Sequence, residues 1–193
     1  MSQKNDMVEN ILDIELKMFL TVSSRQKASC QEDPDSFKRT RRAQFLTWAE
    51  DTLKSYLNDL QAAEEDSVNL MTQKYARMDN LIPKLNDNPL IEKITKIQFK
   101  WQKKMFLKYP CFMGRGRSLS SEEDTAFQTS FETYLRGELE TYSDETLTCL
   151  YKDVTDHLEK DESMTEKLYF CMVEEYGYKS LDEAEEVAKK RME

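Results

Sequence analysis

FKRTRRAQFLTWAEDTLKSYLNDL, residues 37–60, lies in register with FETYLRGELETYSDETLTCLYKDV, residues 131–154, at a constant shift of 94. Phe37 meets Phe131, Arg42 meets Arg136, Gln44 meets Glu138, Phe45 meets Leu139 and Asp59 meets Asp153. Between them, Thr47-Trp48-Ala49-Glu50-Asp51-Thr52-Leu53 meets Thr141-Tyr142-Ser143-Asp144-Glu145-Thr146-Leu147. Upstream, Glu9, Ile11, Ile14, Glu15 and Lys17 lie over Glu92, Ile94, Ile97, Gln98 and Lys100. Downstream, after a one-residue slip, Met71-Thr72-Gln73-Lys74 lies over Met164-Thr165-Glu166-Lys167. Acidic, Leu-rich amphipathic helices resemble one another by chance, but here the order holds over most of the chain and includes the capping signals. The expectation is an all-α fold, one domain over residues 1–193 made of two similar four-helix halves by internal duplication. The halves cover about 6–80 and 89–176, a linker spans 81–88, and a short C-terminal helix spans 180–192. Such halves cannot bury their apolar faces alone, so they share a core and place any site at the seam.

Composition agrees. Four Gly and four Pro in 193 residues leave little turn material for an all-β fold. The formal charge of −9 argues against a nucleic-acid partner and against an anionic membrane surface, since both draw affinity from Lys and Arg. No run approaches the roughly 20 apolar residues of a membrane span. The start, Met1-Ser2-Gln3-Lys4-Asn5-Asp6, lacks the pattern of a signal peptide, so a cytoplasmic protein is expected. The four cysteines have no CxxC spacing and read as reduced thiols, and a single His makes a His-rich metal centre a poor fit, so no metal or cofactor is expected.

Helices are expected at 6–22, 34–47, 48–65, 69–80, 89–108, 122–140, 143–161, 163–176 and from 180. Asp33-Pro34 and Asn88-Pro89 read as caps followed by Pro at the first helical position. Thr47-x-x-Glu50 and Thr141-x-x-Asp144 read as matching starts, Ser120 and Ser121 as the cap of the helix at 122, and Gly177 as a C-cap.

Several strings resemble a known family. The first half carries Ala28-Ser29-Cys30-Gln31, Gln44-Phe45-x-x-Trp48, Ser55-Tyr56-x-x-Asp59-Leu60, Asn69-Leu70 and Lys74-Tyr75-Ala76-Arg77-Met78. The second carries Ser121-x-x-Asp124-Thr125, Ser130-x-x-Thr133-Tyr134-Leu135-Arg136-Gly137-Glu138-Leu139, Thr141-Tyr142-Ser143-Asp144 and Tyr176-Gly177-Tyr178-Lys179-Ser180. Together, over about residues 9–182, they resemble a bacterial family catalogued as domain of unknown function 4125. The resemblance implies a single-domain bacterial cytosolic protein and brings no reaction with it. Asp66-Ser67-Val68-Asn69 departs from the Gly-Arg step expected there.

Three groups of residues offer chemistry. Arg115 and Arg117 lie in a Gly-bearing loop before a capped helix, and Arg25 and Lys27 lie before the helix at 34. Helix N-termini with Arg forks favour anions, although an Arg-Gly loop before an acidic turn also pairs simply with that turn. The second group is a polar stripe on the seam: Arg41, Gln44, Trp48, Tyr56, Asp59, Lys74 and Arg77 from one half, and Glu132, Arg136, Glu138, Tyr142 and Asp153 from the other. Charges on an apolar face need partners, so a paired ionic core is as good an expectation as a ligand pocket. In a pocket, Glu132 or Glu138 would act as general base and the cations would hold an anion. Third, Cys30 in a basic loop before a helix is a candidate nucleophile, or else a small half-buried apolar residue. The leading expectation is a protein binding a small anionic or polar metabolite at the seam, with a metal-independent reaction open to it. The alternative is a regulatory or scaffolding module that binds a protein partner through an exposed apolar patch around Phe106, Leu107, Tyr109, Phe112 and Met113.

Overall fold

The computed structural model of the chain describes residues 3–22, 33–125 and 128–191. Among these residues there are ten helices and no strand: α1 Gln3–Leu20, α2 Pro34–Leu46, α3 Glu50–Glu65, α4 Leu70–Met78, α5 Leu90–Lys108, α6 Pro110–Met113, α7 Phe131–Leu139, α8 Asp144–Glu159, α9 Met164–Glu175 and α10 Leu181–Lys190. α1 packs on α2, α3 and α4, and α5 packs on α7, α8 and α9. The two groups meet where α3 lies on α8, α2 on α9 and α4 on α7. One continuous core runs through both, from Ile11, Leu12, Leu53 and Leu60 to Ile94, Leu147, Leu150 and Val154.

The caps explain most boundaries. Asp33 accepts from the Ser36 amide with Pro34 behind it, and Asn69, Ser143, Ser163 and Ser180 each accept from the amide three residues on. Gly177 leaves α9 at φ +84, where a side chain is strained. The expected starts at Thr47 and Thr141 need correction. Both hydroxyls instead donate backwards, to the Gln44 and Glu138 carbonyls, and so close the preceding helices. α3 carries no side-chain cap of its own. Its start is held across the seam: Asp153 accepts from the N–H of Ala49, just before α3, and from the Thr52 hydroxyl at 2.8 and 2.7 Å. Asp59 accepts from the Ser143 N–H at the start of α8.

The helix expected over 122–140 is also corrected. Ser120 and Glu123 do form a capping box, but it opens only the single 3-10 turn Ser121–Glu123. The chain then doubles back, with Asp124 accepting from the Ser130 amide and the Thr133 hydroxyl, and α7 starts at Phe131 under its own cap, Ser130. α6 was not foreseen, because Pro110 ends α5 and at once supplies the first position of a new turn. The presumed patch is mostly covered: Tyr109 and Met113 are buried with Val173, Leu181 and Ala184 beneath α10, leaving Leu107 exposed.

α4 and α7 touch closely at Gly137, where a Cβ would stand 3.0 Å from Met78 Cγ and 3.2 Å from the Lys74 carbonyl oxygen. Alanine gains helix propensity of about 1 kcal/mol, roughly matching the cost of nudging Met78. Gly137→Ala is therefore expected within about 1 kcal/mol of the parent, and Gly137→Val about 2–3 kcal/mol less stable in urea unfolding, because its methyls meet the fixed backbone. Equal midpoints for the parent and the Val variant would show that the two helices are not held at this distance.

Candidate functional site

The seam holds a buried ionic network. Glu15 sits on the core face of α1 with Leu12 and Phe19 and is fully buried. Arg41 of α2 forks onto it, Nε and Nη2 donating to its two oxygens at 2.7 and 2.5 Å, and Tyr56 of α3 donates to it at 2.6 Å. Arg41 Nη1 also donates to Gln44 Oε1 at 2.7 Å and to Glu138 Oε1 at 2.8 Å. Glu138, on α7, further accepts from Lys74 of α4, Tyr142 and Gln44 at 2.6, 2.6 and 3.0 Å. Lys74 Nζ donates to Tyr134 Oη at 2.6 Å. The rings of Tyr56 and Tyr142, 4.8 Å apart, and Trp48 beyond them close off one side.

Two carboxylates face two cations, so the charges cancel and most of the polar capacity is filled. Burial alone would raise the Glu138 pKa, but Arg41 and Lys74 together hold it well below the usual carboxylate range. Burial opposes the Arg41 charge, yet Glu138 and Glu15 raise its pKa well above the ordinary value, whereas for Lys74 burial prevails and the pKa is lowered. Glu138 therefore has the chemistry of a fixed counter-ion, not of a general base, at neutral pH.

Beside the network lies a cavity of about 420 Å³. Phe37 and Gln44 of α2, Gln98 and Gln102 of α5, Tyr134 and Leu135 of α7, and Tyr169 and Met172 of α9 contribute its walls. Arg41 and Glu138 reach its edge, and exposed Arg117 stands at its rim, with its guanidinium carbon 4.8 Å from the centre of the Tyr134 ring. Gln102 donates to Tyr169 Oη at 2.8 Å, while its buried Oε1 has no partner among the described residues. Such an orphan acceptor costs about 1–3 kcal/mol. A broader surface groove of about 880 Å³ runs between α5, the α8–α9 turn and the start of α10; two of its three lysines already face acids, Lys108 with Glu166 and Lys167 with Glu162. A volume of 420 Å³ falls in the range of small-molecule sites, and only this cavity among the three described is lined by Arg41 and Glu138 of the network. No three His, Cys, Asp or Glu side chains come together as a metal-binding set among the described residues.

A family model described as "Protein of unknown function (DUF4125)" matches residues 5–186. The chain belongs to this family. No curated protein and no solved structure matches it. The strings that carry the family likeness build the network of this DUF4125 protein: Lys74-Tyr75-Ala76-Arg77 on α4 meets Tyr134 to Glu140 on and just after α7.

Of the expected site residues, the structure brings Arg41, Gln44, Tyr56, Lys74, Glu138 and Tyr142 into one network and sets Trp48 and Arg117 at the cavity beside it. Others lie apart. Arg136 faces outward to Glu92 and Glu132, and Glu132 also accepts from the Ser121 N–H and hydroxyl. Arg77 pairs with Glu140 and the Ile82 carbonyl, tying down the 81–88 segment, and Asp59 serves α8. The Arg115 side chain is exposed and pairs with no described residue. Cys30, with Arg25 and Lys27, lies outside the described residues. Glu15, Tyr134, Gln102 and Tyr169 were missed. For Glu15 the signal was present, since an acid flanked by Ile11, Leu12, Met18 and Phe19 occupies a core position.

Proposed function

We propose that this is a cytoplasmic small-molecule-binding protein whose ligand occupies the cavity between α2, α5, α7 and α9. The carrying observation is a 420 Å³ space, with aromatic, Leu and Met side chains among its walls, directly against a charge-balanced, buried network. Such a wall is pre-organised for a ligand, and the apolar lining supplies affinity while few polar groups orient it. Arg41, Lys74 and Glu138 act in this reading as scaffold: their charges already satisfy one another, so they do not hold an anion or move a proton.

Internal duplication belongs to the same reading. It is supported by the helix starts, since α3 and α8 begin at Glu50 and Asp144 and α4 and α9 at Leu70 and Met164, each pair 94 apart. It is supported too by paired contacts: Arg42 with Glu9 and Arg136 with Glu92, Asp153 at α3 and Asp59 at α8. With the shift of 94 carried through α4 and α9 without the one-residue slip, Arg41, Tyr56 and Lys74 fall opposite Leu135, Leu150 and Leu168, and Glu15, at the upstream shift of 83, falls opposite Gln98. One half fills its pocket with charges, and the other half, holding Gln98, Leu135 and Leu168, borders the open cavity.

A fragment screen by thermal shift and NMR tests the proposal. A ligand at 100 times its dissociation constant stabilises by about 2.7 kcal/mol, or roughly 5–10 °C at this size. Met172→Trp, which fills the cavity from one wall, is expected to remain folded and to lose every such binder. Binders retained by the filled variant would place the site elsewhere. A protein-docking module is the second reading, favoured by exposed Leu46, Leu158 and Phe170, which line the 880 Å³ groove together.

A further inference from the structure

Two tyrosines of the cavity are left with an unused proton. Tyr134 Oη accepts from Lys74 at 2.6 Å, and Tyr169 Oη accepts from Gln102 at 2.8 Å. Neither hydroxyl meets an acceptor for its own hydrogen among the described residues. A phenol whose oxygen already accepts from an ammonium or amide turns its O–H outward as a donor. Burial raises both phenols above their ordinary pKa, so both keep that proton at neutral pH.

Arg117 adds a charge. One of its nitrogens donates to the Thr129 carbonyl at 2.8 Å, and it makes no ion pair among the described residues, although its charge acts on nearby Asp124. The two cations of the network are already matched by Glu15 and Glu138. At the cavity Arg117 therefore has no direct ion pair among the described residues, and the Tyr134 and Tyr169 hydroxyls add donors to a wall that mixes aromatic, Leu and Met side chains with Ser, Thr and Gln.

Resting on the cavity as the binding site, we propose that its ligand is a hydrophobic monocarboxylate, its carboxylate received by Arg117 and the Tyr134 hydroxyl. One guanidinium without a direct ion pair matches one negative charge, and a second charge would lie unpaired beside Glu138. The body is aromatic or aliphatic. An apolar cavity of roughly 150 Å³ holds benzene, so 420 Å³ admits a fused two-ring body with a short acid side chain. The sulfurs of Met113, Met164 and Met172 give that body an adaptable surface.

The test is calorimetric titration with naphthylacetate, indole-3-acetate and octanoate, with their primary amides as neutral counterparts, and with inorganic phosphate. The acids are expected to bind at least tenfold more tightly than the amides. Arg117→Gln, on an exposed loop, is expected to keep the parent melting temperature, weaken the acids about tenfold and leave the amides unchanged. Tyr134→Phe should weaken the acids in the same way. Amides binding as well as acids would leave the cavity a binding site and overturn the carboxylate assignment. Phosphate outbinding every acid would overturn it too. If neither acids nor amides bind, this inference and the cavity reading fall together.

Discussion

Replacing Arg41 with methionine is expected to destabilise the protein by about 3–5 kcal/mol, because it leaves Glu15 and Glu138 buried with one cation between them. Against a total stability of about 5–15 kcal/mol for a domain, that is a large share. The loss falls mainly on Glu15, which keeps only the Tyr56 hydroxyl, since Lys74 already serves Glu138. In the variant Glu15 is a buried acid with no cation beside it. In the parent, Arg41 is one of the two cations that depress the Glu138 carboxyl, so the stability this lends is present above about pH 4.3 and is lost as the pH falls toward its folded value. Urea unfolding at pH 7.5 and pH 3 should therefore show the gap between parent and variant narrowing on acidification. A gap below about 1 kcal/mol at pH 7.5 would mean the arginine is replaceable packing and not the keystone of the network.

Alkali is expected to unfold the parent steeply. Burial, with Glu15 or Glu138 nearby, raises Tyr56, Tyr134 and Tyr142 well above the ordinary tyrosine value of about 10. Groups raised in the fold stabilise it fully below their unfolded pKa, and that stability drains away as the pH climbs beyond about 10. Each tyrosine contributes a slope of about 1.4 kcal/mol per pH unit, so three together approach about 4. Lys74, depressed by burial, works the other way, but only up to its unfolded value of about 10.4. Helix content and tyrosinate absorbance, titrated together, should show the buried phenolates appearing in one step with the loss of helix. Phenolate signal from all nine tyrosines near pH 10 with the helices intact would show that the network is open to water.

The helical fold could be read from the sequence because its punctuation is local: Asp33-Pro34, Asn69 and Ser180 act within a turn of themselves. Where the reading failed, the deciding partner lay far along the chain. Thr47 looked like a start because nothing nearby shows that Asp153 reaches the next helix from 104 residues away. Arg136 was placed at the seam and Arg41 alongside it, yet one helical position separates their registers, and Arg136, like its counterpart Arg42, turns outward to a surface acid. Glu15 was passed over because one acid among apolar neighbours is read as a flaw in a helix face, while its arginine fork lies 26 residues on. The cavity has no local signature. It is bordered by side chains of α1, α2, α5, α7 and α9, which lie far apart in the chain and meet only in the packed arrangement.

The crossed aspartates of the seam bear on how the molecule comes apart. Asp153 holds the start of α3, Asp59 holds the start of α8, and Ser55 meets Thr146 at 2.7 Å between them. α3 has no side-chain cap of its own and its start depends on α8, while α8, capped by Ser143, has the amide of that cap held by α3, so fraying at one is coupled to the other. The central pair therefore opens as a single cooperative unit and not as two independently flickering hairpins, and slow amide exchange should be shared across it. A ligand lodged on one side of the bundle would thereby protect amides on the other.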